Sequence, residues 1–174
     1  MPDYDLFSDE QLVKTARDGE DAAWEALIRR HGQRLLAFFS RMNGGDLVSA
    51  KERWLSLWSE LARQRPTLAS GPRFSTVAFA VALRLSQGAP ALAGSPARFE
   101  PSSLEGRSAR LHSALAALPI LERSALCLAY FDNLSWDETG RVLGCRSEEA
   151  KAHSATAYQR LDAALGPDFL KAGL

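Results

Sequence analysis

Apolar residues in the first half of the chain recur at helical spacing. Several successive segments between residues 8 and 85 carry hydrophobic side chains every three or four positions, and none alternates with a period of two. In one of them Trp54, Leu57, Trp58 and Leu61 share a helical face. Such stripes are typical of helices that pack together, so we interpret the two tryptophans as core residues.

The stretch from Leu134 to Leu161 predicts two helices joined by a tight turn. Ser135 and Glu138 have the spacing of a capping box, which indicates a helix start. Gly144 follows the apolar stripe of that short helix and suits its C-terminal end, and Ser147 can cap the next helix. This is the pattern of a DNA-binding helix-turn-helix, although helical hairpins without a DNA function share it.

Residues 86–107 separate the two helical regions. They are rich in Gly, Pro, Ser and Ala and show no apolar periodicity, which indicates a flexible linker. The fold class is therefore all-α, with small helical domains at 1–85 and 108–174. Tyr130 and Phe131 are expected inside the second domain.

Composition argues against catalysis. Cys127 and Cys145 lack metal-ligand spacing, and His31, His112 and His153 lie in unrelated contexts. The chain contains no Gly-rich phosphate-binding loop. We expect no enzymatic activity, no metal and no cofactor.

The net charge limits the DNA affinity that can be expected, and the hydropathy indicates the cellular location. The 174 residues include 21 basic and 21 acidic side chains, so the net charge is zero. Proteins that grip DNA through many phosphate contacts carry an excess of cations, so any DNA affinity must be local or supplied by a partner. There is no apolar run resembling a signal peptide or a membrane span, which favours a cytoplasmic protein without a membrane contact.

Two stretches resemble the extracytoplasmic-function (group IV) sigma factors of the sigma-70 family. "SDEQLVKTARDGEDAAWEALIRRHGQRLLAFF" is similar to their opening segment, and "ALAALPILERSALCLAYFDNLSWDETGRVLGC" to their promoter-reading domain. The resemblance implies a region 2-like domain that binds RNA polymerase core and melts the promoter. It implies a region 4-like domain that reads promoter DNA, an anti-sigma factor as a further partner, and no small-molecule substrate.

The candidate DNA contacts lie in both domains. They are Arg146, Lys151, His153, Thr156 and Arg160 in the second domain and Arg73 and Arg84 in the first. A solvated helical face is the alternative interpretation of the second-domain set.

Glu148 and Glu149 open the helix that would read DNA. Acidic residues in a first turn complement the helix dipole, which is a purely structural role. A carboxylate that faces a phosphate is repulsive, so the same pair also indicates loss of DNA contact. Both interpretations can hold together.

The stretch "GGDLVSAKERWLSLW" corresponds to the polymerase-binding helix of the family. Family members begin this helix with an acidic cluster, whereas this chain keeps only two acids there. The candidate polymerase contacts are Asp46, Lys51, Glu52 and Ser56.

Two functions are compatible with these patterns. The first is a divergent sigma factor that binds RNA polymerase core and directs it to promoters. The alternative is a degenerate sigma-like regulator with little DNA binding, which acts through protein contacts as an anti-sigma decoy or a sigma mimic.

The linker yields a first prediction. Limited proteolysis should cut the chain first within residues 86–107, because a segment without apolar periodicity cannot offset the entropy of ordering it. Mass spectrometry of early fragments locates the cut. Earlier cleavage between Trp24 and Trp58 would contradict the division into two domains.

Overall fold

The computed structural model describes residues 3–68, 73–87, 103–166 and 169, with backbone alone for 103–105. Within these ranges the chain is helical and contains no β-strand. A 3-10 turn at Tyr4–Leu6 precedes the first helix, and a π-helical turn at Cys127–Phe131 lies between the seventh and eighth. The α-helices are α1 (Asp9–Arg17), α2 (Asp21–Met42), α3 (Leu47–Arg63), α4 (Arg65–Leu68), α5 (Phe74–Gln87), α6 (Ser103–Ala117), α7 (Ile120–Leu126), α8 (Trp136–Leu143) and α9 (Ser147–Leu165).

Local side-chain hydrogen bonds set the start of two helices. Ser8 and Gln11 form a capping box at α1, and Ser135 and Glu138 form another at α8. In each box the two side chains satisfy backbone donors that the helix leaves free. Gly144 ends α8 in the left-handed conformation, with φ of 72°. The predicted boundaries of α8 are therefore confirmed.

Helices α1, α2, α3 and α5 enclose the core of the first domain. Trp24 and Trp58 meet edge to face with ring centroids 5.8 Å apart. Trp54 is half-buried and donates its indole N–H to the carbonyl of Gly32 at 2.8 Å. The interpretation of Trp54 and Trp58 as packing residues is confirmed, since Phe74 stacks on Trp58 from α5.

Helix α9 packs on α7 and α8 in the second domain. Its inner stripe is buried as predicted and comprises Ala150, Ser154, Ala157 and Leu161. A close approach at Gly140 sets the angle of the turn, because a Cβ there would lie 2.7 Å from the carbonyl oxygen of Cys145. Only glycine lets α8 come so near to the start of α9.

Three sequence-based expectations need correction. Helix α5 runs to Gln87 and α6 begins at Ser103, so helices occupy both ends of the predicted linker. The N-cap of α9 is Arg146 rather than Ser147, because Glu149 provides the capping carboxylate. Tyr130 is 55% exposed instead of interior, since the π-helical turn rotates it outward, and Phe131 is half-buried.

The two helical regions pack against each other. Helix α5 contacts α8, and α2 contacts both α6 and the π-helical turn. Buried residues of both regions belong to one hydrophobic cluster, to which α2 contributes Phe38 and the second domain contributes Leu128. A shared core therefore joins two segments that the sequence pattern separates.

Candidate nucleic-acid interface

The turn between α8 and α9 projects one face of α9 into solvent. The exposed residues of its first three turns are Glu148, Glu149, Lys151, Ala152 and Ala155. In a DNA-binding helix-turn-helix this second helix enters the major groove and the first crosses the backbone. The presented face is unusual for such a helix, because it holds one cation, two acids and two methyl groups.

Glu149 has a structural role at the start of α9. Its carboxylate accepts a hydrogen bond from the backbone N–H of Arg146 at 2.9 Å and another from the Arg146 guanidinium at 3.0 Å. These hydrogen bonds lower the pKa of Glu149 below its ordinary value. Glu149 therefore caps its own helix, whereas Glu148 has no ion pair among the described residues and points into solvent.

The arginines predicted to contact DNA are paired with carboxylates of the same chain. Arg146 is bound to Glu149, and Arg160 lies 3.3 Å from Glu122. In each pair the carboxylate offsets part of the positive charge that the guanidinium would present to a phosphate.

The first-domain candidates are paired in the same way. Arg84 forms an ion pair with Glu60 inside the first domain. Arg73 lies 3.5 Å from Glu138, which belongs to the second domain. The predicted DNA-binding cations of the first domain thus face acids, one of them in the opposite domain.

The remaining candidates differ from the arginines. Lys151 is exposed and has no carboxylate within ion-pair distance in the described part of the chain. His153 is half-buried beside it on α9. The Thr156 hydroxyl donates to the carbonyl of Ala152 at 3.0 Å and is thereby turned back onto its own helix. Lys151 is the best placed of these residues for a phosphate contact.

The predicted polymerase contacts lie together on α3. Asp46 is the N-cap and accepts hydrogen bonds from Val48 and Ser49, which lower its pKa. Lys51, Glu52 and Ser56 are exposed along the following turns. The structure thus brings all four residues to one solvent-facing helix.

The structure shows two exposed apolar surfaces that were not predicted from the sequence, one on α3 and one on the second domain. Leu47, Val48 and Leu55 are 57%, 70% and 61% exposed on the same side of α3 as the predicted polar contacts. These three positions lie outside the inner stripe of α3, which comprises Trp54, Leu57, Trp58 and Leu61. Apolar residues outside the buried stripe of a helix are the feature of the sequence that could have indicated an exposed apolar surface.

The second feature is an aromatic cluster on the second domain. The ring of Tyr130 lies 6.4 Å from that of Trp136 and 6.3 Å from that of Tyr158. Tyr130 and Tyr158 are 55% and 40% exposed. Only tertiary packing brings these three residues together, because they belong to three different elements.

Other kinds of site are not found in the part of the chain that the structure describes. No group of His, Cys, Asp and Glu side chains there could hold a metal ion. Among the same residues, no helix combines the length and apolar character that a bilayer crossing requires.

Comparison with known proteins agrees with this geometry. Residues 108–161 match the family described as Sigma-70, region 4. Among solved structures, the fold matches CnrH, solved in complex with the cytosolic domain of CnrY, with a TM-score of 0.78 and 20% sequence identity. The alignment covers 92% of this chain and 98% of CnrH. No curated protein matches the chain by sequence.

These findings define a helical protein with a region 4 helix-turn-helix. Residues 108–161 carry a domain of the family described as Sigma-70, region 4. The expected all-α fold is confirmed, and the expected region 4-like domain is supported over residues 108–161.

The two glutamates of α9 allow a direct test of their roles. Glu149→Ala should lower the midpoint of thermal unfolding by a few degrees, because the N-terminus of α9 loses its capping carboxylate. Glu148→Ala is the matched control and should leave the midpoint unchanged. The pKa of Glu149 is depressed from 4.5, so its contribution is present at neutral pH and lost as pH falls below that value. Thermal melts followed by circular dichroism at pH 7 and pH 3.5 measure both effects. Equal midpoints for the two variants at pH 7 would show that Glu149 does not cap α9.

Proposed function

We propose that this chain is a transcription initiation factor that binds RNA polymerase core and directs it to promoters. The observation that carries the proposal is the region 4 helix-turn-helix, whose α9 leaves Lys151 free in solvent. The shared fold with CnrH over nearly the whole chain supports it. The protein is non-enzymatic and acts in the cytoplasm in this proposal.

The two domains have different tasks in this function. Helix α3 docks on polymerase through Asp46, Lys51, Glu52 and Ser56, with Trp54 holding the helix on the core. Arg73 and Arg84 at the two ends of α5 contact the separated strand, and α9 contacts promoter DNA. An anti-sigma partner is also part of the proposal, and it is supported by the solved complex of CnrH with the cytosolic domain of CnrY.

Co-purification with bacterial RNA polymerase core tests the polymerase contact. Glu52→Lys should reduce capture several-fold, because it reverses an exposed charge at the centre of the proposed contact on α3. The matched control is Glu25→Lys, which reverses the charge of another exposed acid, on α2. Both variants should keep the native melting temperature. If the native chain is not captured at all, or if both variants are captured equally well, the proposed contact is wrong.

A second candidate function is supported by the ion pairs of the arginines. A dedicated promoter reader is expected to leave its DNA-contacting arginines free. All four arginines predicted to contact DNA face carboxylates, namely Arg73, Arg84, Arg146 and Arg160. A sigma-like regulator that competes for protein partners has no need of free cations on these surfaces. It would act as an anti-sigma decoy or a sigma mimic.

The salt dependence of DNA binding separates the two candidates. Each neutralised phosphate contributes a slope of about −0.9 in log affinity against log salt, so Lys151 with Arg146 and Arg160 should produce a slope between about −1 and −3. Lys151→Ala should reduce that slope by about 1. Lys14→Ala, an exposed lysine on α1, is the control and should have no effect. Fluorescence anisotropy of the full chain with duplex DNA provides the measurement. Absence of binding at low salt would favour the decoy.

A further inference from the structure

Helix α3 exposes a line of apolar side chains that no other part of the described chain covers. Val48 and Leu55 are 70% and 61% exposed and stand seven residues apart, so they share one face of the helix. Leu47 extends this apolar surface at the N-terminal end of the helix. The buried face of α3 is a different one and comprises Ala50, Leu57, Trp58 and Leu61. Contiguous apolar side chains that face solvent beside a separate buried face indicate a contact surface.

Helix α3 presents this surface in a fixed position. Asp46 caps the helix, since its carboxylate accepts from the backbone N–H of Val48 at 3.0 Å and from the hydroxyl of Ser49 at 2.7 Å. Further along, Trp54 donates its indole N–H to the carbonyl of Gly32 on α2 at 2.8 Å. A partner therefore does not have to order the helix before it binds, which lowers the entropic cost of association.

A lysine and a glutamate flank the apolar line at its midpoint. At about 100° per residue, Lys51 and Glu52 project about 50° to either side of the direction that Val48 and Leu55 share. Both side chains are exposed, and neither has an ion-pair partner within the described ranges. This face of α3 therefore has an apolar centre, a positive edge and a negative edge.

Such a face is complementary to itself in one orientation. When two copies of α3 pack face to face and run parallel, a two-fold axis along the helices places the positive edge of each copy beside the negative edge of the other. Lys51 of each copy then meets Glu52 of the other. An antiparallel pair would instead place lysine beside lysine and glutamate beside glutamate, which is repulsive. The parallel pair also brings the two Val48 side chains together, and likewise the two Leu55 side chains.

The charge of the whole chain and the size of the contact define the kind of association. The net charge is zero, so two copies do not repel each other at long range. The contact spans two turns of one helix in each copy, which belongs with the weak, transient interfaces that bury less than about 1,200 Å². Association of this kind depends on the protein concentration and is lost on dilution.

We infer that α3 is a self-association surface, through which two copies of this chain form a parallel two-fold dimer around Val48 and Leu55. The dimer covers Lys51 and Glu52, which are two of the residues proposed to contact polymerase. Dimerisation and polymerase binding therefore compete for α3, and the concentration of free chain rises only as the square root of the total once the dimer predominates. The competition rests on the proposed function, whereas the dimer itself does not.

A charge-exchange series tests the orientation of the dimer. Lys51→Glu and Glu52→Lys each bring like charges together and should weaken the dimer at least about fivefold, whereas the double variant restores both ion pairs and should return the dissociation constant to near its native value. Sedimentation velocity of the full chain between about 5 and 500 µM at low salt measures these constants. A native chain that stays monomeric over this range would overturn the dimer and leave α3 to polymerase alone. A double variant as weak as the single ones would overturn the parallel arrangement.

Leu55→Glu tests the apolar part of the contact. It places two carboxylates against each other at the two-fold axis and should abolish the dimer. Leu6→Glu is the matched control, because Leu6 is 82% exposed on the 3-10 turn of the same domain and lies outside α3. Both variants should keep the native melting temperature, since neither side chain is buried. Equal dimerisation of the two variants would show that α3 is not the surface involved.

A covalent dimer tests the competition with polymerase. In a chain that carries Cys145→Ser, Val48→Cys should form an intermolecular disulfide under oxidised glutathione, because the two copies of position 48 face each other. Leu6→Cys in the same chain is the control and should stay monomeric, and the remaining native thiol of Cys127 is buried. Polymerase core should capture the reduced Val48→Cys chain but not the disulfide-linked form, and dithiothreitol should restore capture.

The outcomes separate the dimer from the proposed function. Equal disulfide formation in Val48→Cys and Leu6→Cys would overturn the parallel contact. Equal capture of the linked and reduced forms would overturn the competition. A reduced chain that is not captured either overturns the competition together with the proposed function, while the sedimentation series still decides the dimer.

Discussion

Burial of the Asp132 carboxylate is the constraint on which the arrangement of the two domains depends. Removal from water raises the pKa of this group to about 6, although Arg41 and Arg34 act in the opposite direction. At neutral pH the group is charged, and a charge in such a site must be matched by a partner of opposite sign. The partner lies on the other domain. The acid of region 4 therefore specifies which surface of α2 it packs against.

Several arginines of the chain are likewise matched by carboxylates. A net charge of zero does not mean that the surface lacks cations. It means that acids are available to pair with them, and the structure forms such pairs at the four arginines that the sequence predicts as DNA contacts. Glu138 has two such roles. Its carboxylate caps α8 by accepting a hydrogen bond from the backbone N–H of Ser135, and it also forms an ion pair with Arg73.

Much of the fold was predictable because its signals are local. The capping boxes at Ser8 and Ser135 and the glycine at 144 act within one turn of helix, so residue spacing alone reveals them. The core role of Trp58 follows from helical periodicity. The position of Tyr130 was predicted wrongly, since a π-helical turn has no distinct apolar period and rotates the residues that follow it. The exposed Leu47, Val48 and Leu55 were overlooked because the inner stripe of α3 dominated its pattern.

The sequence by itself determined the all-helical class, the helix-turn-helix and the residues that are proposed to contact DNA and polymerase. Only the tertiary structure decided how those residues are used. Arg160 meets Glu122, and Arg41 meets Asp132, across separations in sequence that no periodicity links. Ion pairs of this kind depend on which helix faces are brought within a few ångström of each other. That choice is made by burial of the shared core and is absent from the local pattern.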